Sequence, residues 1–162
     1  MKTKEEFLVE LESWRGTPYR HGVSKRQQGV DCVRFVVSML EWLSGREANA
    51  DVLPFNFAAQ AAFCETWPAM QVFAWMNDRY PNTVVYRKGK HESLPPIAAG
   101  DVIVLEHFPD APCHMMLGGY NKRIWHANNW SNGGCVSETG MTMTMMERVW
   151  CIWRVEAAGS LQ

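Results

Sequence analysis

At 162 residues the chain has ordinary single-domain length, and 47% hydrophobic against 20% charged residues argues against disorder and against two full domains. Sixteen Lys and Arg against seventeen Asp and Glu leave a net charge of -1, with no basic stripe at helical spacing, which excludes a surface built for nucleic acid or anionic membrane. Five cysteines, an odd number without framework spacing, exclude a disulfide scaffold and suit a reducing compartment.

The first residues are charged and helix-forming and lack the apolar stretch of a secretory signal or membrane span, so the expectation is synthesis in the cytoplasm without a signal peptide. Residues 4–15 carry Phe7, Leu8, Leu11 and Trp14 at helical spacing, which predicts a first helix ended by Gly16-Thr17-Pro18. Residues 19–31, rich in Gly and polar side chains, read as an ordered loop. Val33, Val36, Val37, Leu40 and Leu43 then line one face of a second helix over about 32–44, with Gly45 as its C-terminal stop. Two more helical stretches are expected around 58–62 and 70–76, broken at Trp67-Pro68. From there alternation replaces helical periodicity: strands are predicted at 102–105, 115–117, 123–126 and 149–155, with a turn over 118–122. Helices followed by an antiparallel meander make an α+β domain. Pro95-Pro96 is the only linker-like joint and is too short to separate independent domains.

The chemistry centres on Cys32, which stands where the glycine-bearing loop meets the second helix. Exposed N–H groups and the dipole at a helix start favour an anion, so a thiolate is expected there, with the same N–H groups as half of an oxyanion hole. The plain alternative, a small buried hydrophobe, suits Cys64, Cys113, Cys135 and Cys151 better, since these lie in apolar or strand-like sequence. A thiol nucleophile needs a base, and the base an orienting partner. His114 opens one predicted strand and His126 ends the next, so a hairpin would bring them side by side. His91 reads as a surface residue, while His21 and His107 remain open. His107, Cys113, His114 and Cys135 are zinc-ligand types, but no Cys-x-x-Cys or His-x-x-x-His pair starts a tetrahedral site, and no metal is expected. Among eight tryptophans, Trp125 and Trp130 bracket His126 and are read as packing residues.

Pro18-Tyr19-Arg20-His21-Gly22, Gly29-Val30-Asp31-Cys32, Gly100-Asp101-Val102-Ile103-Val104, Cys113-His114-Met115-Met116-Leu117-Gly118 and Ile124-Trp125-His126-Ala127 together resemble the NlpC family of papain-like cysteine peptidases, in that family's order. The resemblance implies one domain over 1–162, with N-terminal helices packed on a central antiparallel sheet and the nucleophile at a helix N-terminus. The stretch at about 49–87 would be a helical insertion or diverged segment. It implies Cys32 as nucleophile, His114 as general base and acid, and His126 orienting His114. Tyr19 would stand near the nucleophile, assisting the oxyanion or substrate, or else be a core tyrosine. Asp31 would face the substrate, or else serve the helix N-terminus. Where the family commonly has Ser-Gly after Asp-Cys, this chain has Val33-Arg34; Arg34 would offer a carboxylate-binding fork if it points outward, and otherwise lie on a solvated helix face.

The function this resemblance implies is hydrolysis of amide bonds in peptidoglycan stem peptides through a thioester, with no cofactor. Without a secretion signal, delivery to the wall would need a phage tail or a dedicated delivery system as partner. One competing reading turns the same Cys-His-His trio on an intracellular amide or acyl group, as a deamidase or acyltransferase. Another is a non-catalytic structural or binding module.

Overall fold

The computed structural model describes residues 2–46, 69–109, 111–129 and 133–155. Helix α1, Lys4–Trp14, begins at a capping box in which the Glu6 N–H donates to Thr3 Oγ1 (3.2 Å) and the Thr3 N–H to Glu6 Oε2 (2.7 Å). Its buried residues are Phe7, Leu11 and Trp14. Leu8, expected with them, is 37% exposed, because a residue one step from Phe7 is rotated about 100° off the core-facing stripe. The following loop contains a small antiparallel ladder, β1 (Ser24–Lys25) with β2 (Gly29–Val30), where the sequence pattern indicates only loop.

Helix α2, Cys32–Leu43, is the centre of the molecule. The expected apolar face is buried, and so are the polar positions Arg34, Ser38 and Glu41, so the helix is enclosed all round from Cys32 to Glu41. Gly45 follows its C-cap at φ +70°, a conformation glycine adopts without steric penalty. Helix α3, Ala69–Arg79, covers the stretch expected around 70–76. The stretch around 58–62 and the Trp67-Pro68 break lie outside the described residues. The segment assigned to helices up to residue 87 ends differently: β3, Val84–Arg87, is an edge strand.

The remaining strands are β4 (Val102–Phe108), β5 (Ala111–Gly118), β6 (Arg123–Ala127), β7 (Val136–Gly140) and, after the short helix α4 (Met143–Glu147), β8 (Val149–Trp153). They form one six-stranded antiparallel sheet in the order β3-β8-β4-β5-β6-β7. One face, with Val102, Val104, Met115, Leu117, Trp125, Cys151 and Trp153, joins the core of α1, α2 and α3. The other, with Ile103, Leu105, Met116, Ile124, Val149 and Ile152, is covered in part by Leu94, Ile97, Met141 and Met145. The sheet is locked where β4 begins. Asp101, fully buried, takes Arg154 in two hydrogen bonds (2.8 and 2.9 Å) and the Ala98 N–H at 2.8 Å. Beside it the Gly118 N–H donates to the Asp101 carbonyl, and a Cβ on Gly118 would lie 2.1 Å from the Ala98 oxygen, so only glycine fits.

Candidate active site

Cys32 is the first residue of α2, and its neighbour Asp31 is the N-cap. Helix α2 packs against β5 and β6, and the main chain of Met115, the residue after His114, bears on the ionisation of the Cys32 thiol. Cys113, two positions before Met115 on the same strand, interacts electrostatically with the sulfur. The side chain of Cys32 is 6% exposed, and its thiol is pushed up to about 12, first by burial and then by the Asp31 charge. This overturns the expectation of a resting thiolate. A helix terminus contributes about 0.3–1 kcal/mol, less than one pKa unit, whereas removing a thiolate from water shifts the equilibrium by several units. The main-chain hydrogen bonds of Met115 and Val33 act in the thiolate's favour without reversing the sign.

His114 lies on β5 and His126 on β6, 8% and 1% exposed. The ladder pairs Leu117 with Trp125 and Gly118 with Ile124. Continued past Leu117, that antiparallel register brings the His114 end of β5 alongside the His126 end of β6. The rings meet edge to face, and His114 Nε2 is 2.8 Å from His126 Nδ1. The hairpin therefore brings the two imidazoles together as its spacing predicts. Burial holds both well below the ordinary imidazole value, with the nearby His126 adding to the effect on His114. Thiol and imidazoles are accordingly neutral at rest.

The Asp31 carboxylate is 3% exposed and turned inward. Oδ1 accepts from the Arg34 N–H (2.8 Å), and Oδ2 from the Gly22 N–H (2.9 Å) and from Arg34 Nη1 (2.8 Å). Of its two sequence readings, the helix-terminal one describes its contacts; a substrate-facing Asp31 would need oxygens that these donors already occupy. Arg34 is neither an outward fork nor a solvated residue, being 7% exposed and folded back on Asp31. Sequence reasoning missed this pairing, although the three-residue spacing of opposite charges at a helix start was its signal.

Tyr19 is half-buried, with its ring packed on the main core and its N–H donating to the Gly134 carbonyl (2.6 Å). It also lines an open cleft of about 540 Å³ together with Gly16, Pro18, Asn129, Gly133, Gly134 and Cys135. Cys32, His114 and His126 are not among the lining residues, so the cleft stands beside the enclosed centre rather than opening directly on it. Tyr19 bridges to Val30, two residues before Cys32, and Asn129 follows His126 by three, so both walls lead back to the site.

Cys151 is buried as expected, whereas Cys113 and Cys135 are half-exposed; Cys64 lies outside the described residues. Trp125 is core, 2% exposed with the Arg15 guanidinium 4.5 Å over its ring, and Trp130 lies outside the described residues. His91 is exposed and accepts from the Arg87 N–H, and His21 and His107 are exposed. Among the described residues no three His, Cys, Asp or Glu side chains converge as metal ligands would.

No protein-family model and no curated protein matches the sequence. Among solved structures, the crystal structure of the NlpC/p60 domain of the peptidoglycan hydrolase SagA is similar, at a TM-score of 0.51 and 15% identity, over 94% of this chain and 98% of that one. A protein similar to lipoproteins of the NLP/P60 family, from Staphylococcus aureus subsp. aureus Mu50, superposes with a TM-score of 0.49 and 15% identity, over 94% of this chain and 41% of its own. Helices packed on a six-stranded antiparallel sheet, in the arrangement of the SagA domain, give this chain the NlpC/P60 fold.

Proposed function

We propose that the chain is a cysteine peptidase that hydrolyses amide bonds in peptidoglycan stem peptides, with Cys32 as nucleophile, His114 as general base and acid, and His126 as its orienting partner. The observation that carries this reading is the buried His114–His126 pair, Nε2 to Nδ1 at 2.8 Å, on the two strands against which the helix beginning at Cys32 packs. The fold shared with the NlpC/p60 domain of a peptidoglycan hydrolase supports this choice of substrate class.

In the productive tautomer His114 donates its Nε2 proton to His126 Nδ1, which leaves the His114 Nδ1 lone pair as base. Because thiol and imidazole rest neutral, proton transfer accompanies attack instead of preceding it. As the Sγ–C bond forms, the thiol proton passes to His114, and the carbonyl oxygen takes up negative charge, stabilised by the Cys32 N–H at the head of α2. His114 then returns the proton to the departing amine as the C–N bond breaks. A water, deprotonated by His114, hydrolyses the thioester and frees the sulfur. Tyr19, on the wall of the neighbouring cleft, is assigned to substrate contact.

The test is incubation of the purified protein with purified peptidoglycan, followed by mass spectrometry of soluble stem-peptide fragments. Fragments released by the native chain and absent with Cys32→Ala support the reading. Intact wall after exposure to native protein, with turnover of a glutamine side chain or an acyl ester instead, replaces it with the deamidase or acyltransferase.

A further inference from the structure

The nucleophile's neighbour on its own helix is a charge that the proposed chemistry does not use. Asp31 precedes Cys32, is almost wholly removed from water, and bears on the sulfur electrostatically in the direction that keeps the proton on. In such surroundings a carboxylate acts on a nearby thiol with little screening. Arg34 sits one turn further on, 7% exposed, with Nη1 2.8 Å from Asp31 Oδ2. The same oxygen accepts the Gly22 N–H, so a single carboxylate joins the cap of α2, the preceding loop and the guanidinium.

We propose that Arg34 is a positioning residue for Cys32: by holding and neutralising the Asp31 carboxylate, it keeps the helix head docked on the Gly22 loop and lets the sulfur ionise when attack begins. This rests on the reading of Cys32 as nucleophile. The charged and titratable groups that bear on the sulfur are the N-cap Asp31, paired with Arg34 on α2, and Cys113 on β5; His114, the base in the proposed chemistry, follows Cys113, with His126 hydrogen-bonded to it from β6. His21, on the loop that Asp31 holds, is exposed. Of these, Asp31 is the carboxylate, and Arg34 is the cation placed on it. A lysine is compact and flexible where arginine is a planar fork, but it retains the charge, so Arg34→Lys separates charge from shape.

The test measures alkylation of Cys32 by iodoacetamide, site by site by mass spectrometry, at a fixed pH of about 8.5, where the rate follows the thiolate fraction and each unit of thiol pKa changes it about tenfold. Arg34→Gln should slow Cys32 labelling about fivefold or more, because Asp31 is then uncompensated. Asp31→Asn, which keeps a capping oxygen and removes the charge, should speed it by a similar factor. The double variant Asp31→Asn with Arg34→Gln should return to within about twofold of the native rate, and Arg34→Lys should stay near it. Buried Cys151, on the far strand β8, reports in the same sample whether the fold is intact.

A double variant as slow as Arg34→Gln alone would make Arg34 a packing residue and overturn the proposal. If Arg34→Gln fails to fold, Asp31→Asn decides alone: faster labelling supports the proposal, and unchanged or slower labelling overturns it. The readout needs no substrate, so failure of wall hydrolysis and failure of this charge relation appear in different experiments.

Discussion

Both ends of α2 bury a carboxylate against arginine, and the two arrangements do different work. At the N-terminal end Asp31 and Arg34 are three residues apart with side chains 4% and 8% exposed, so both charges are out of water. At the C-terminal end the Glu41 side chain is 10% exposed, but its partners Arg46 and Arg79 are 40% and 41% exposed, and the Tyr80 hydroxyl adds a hydrogen bond at 3.1 Å. Burial alone would raise the Glu41 carboxyl; hydrogen bonds from Arg46, Arg79 and Tyr80 outweigh it and hold the group below its usual range. The first pair is local and adjusts the electrostatics of one sulfur. The second reaches across the sequence and fastens α3 to α2, with its cations in solvent where pairwise attraction is screened.

The sharpest way to break this division is at the sulfur itself. Cys32→Ala should lower stem-peptide release by about 10³-fold or more while leaving thermal unfolding near native, since a triad nucleophile has no substitute. His126→Ala should cost about 10²-fold in kcat with a smaller change in KM, the signature of an orienting partner. An unchanged rate for His126→Ala would return the N-terminal end to a structural role.

At the other end, Glu41→Ala should cost about 2 kcal/mol in urea unfolding, less than the 3–5 kcal/mol of a fully buried pair because both arginines can turn into water. It should leave Cys32 labelling unaltered. A Glu41 variant with altered labelling would mean that the two ends communicate through the helix.

Acid provides the gentlest comparison, because the two ends begin to respond at different pH. His114 and His126 titrate lower in the folded protein than near 6.5, so below about 6.5 the unfolded chain binds more protons and stability falls, by about 1.4 kcal/mol per pH unit for each histidine. Glu41 is depressed in the folded state, so its contribution is present above the unfolded carboxyl value of about 4.3 and is lost only as pH drops through the lower folded value. Urea midpoints measured from neutral pH downward should decline first in the upper window, and His126→Gln should reduce that slope. A flat profile between about pH 6.5 and 5 would contradict neutral buried imidazoles.

What is legible in the sequence and what is not follow one physical division. Elements whose side chains repeat regularly, such as α2 with Val33, Val36, Val37, Leu40 and Leu43, declare themselves, because apolar residues at helical spacing are a local signal even where the helix is enclosed all round. The His114–His126 contact is legible too, since a hairpin converts two strand positions into neighbours. Short edge elements are not: β3 at Val84–Arg87 is half-buried throughout, and β7 mixes Ser, Glu and Thr with one buried valine, so neither carries a clean alternation. The ionisation of Cys32 escapes sequence reasoning because a helix start is local information, whereas the burial that dominates it comes from β5 and β6, far along the chain. Arg34 escapes it for a similar reason. Charged residues are seldom buried, and only the three-dimensional contact shows that Asp31 accompanies it.

The enclosure of Cys32 also bears on durability. Peroxides and foreign disulfides attack thiolates, and a sulfur that keeps its proton and is nearly shut off from water gives them little to attack. Such a protein should retain its working sulfur through oxidising surroundings that would spoil an exposed, ionised one. The corresponding cost is a slower first encounter with any acyl group that fails to engage the neighbouring surfaces, which turns shielding into a form of selectivity.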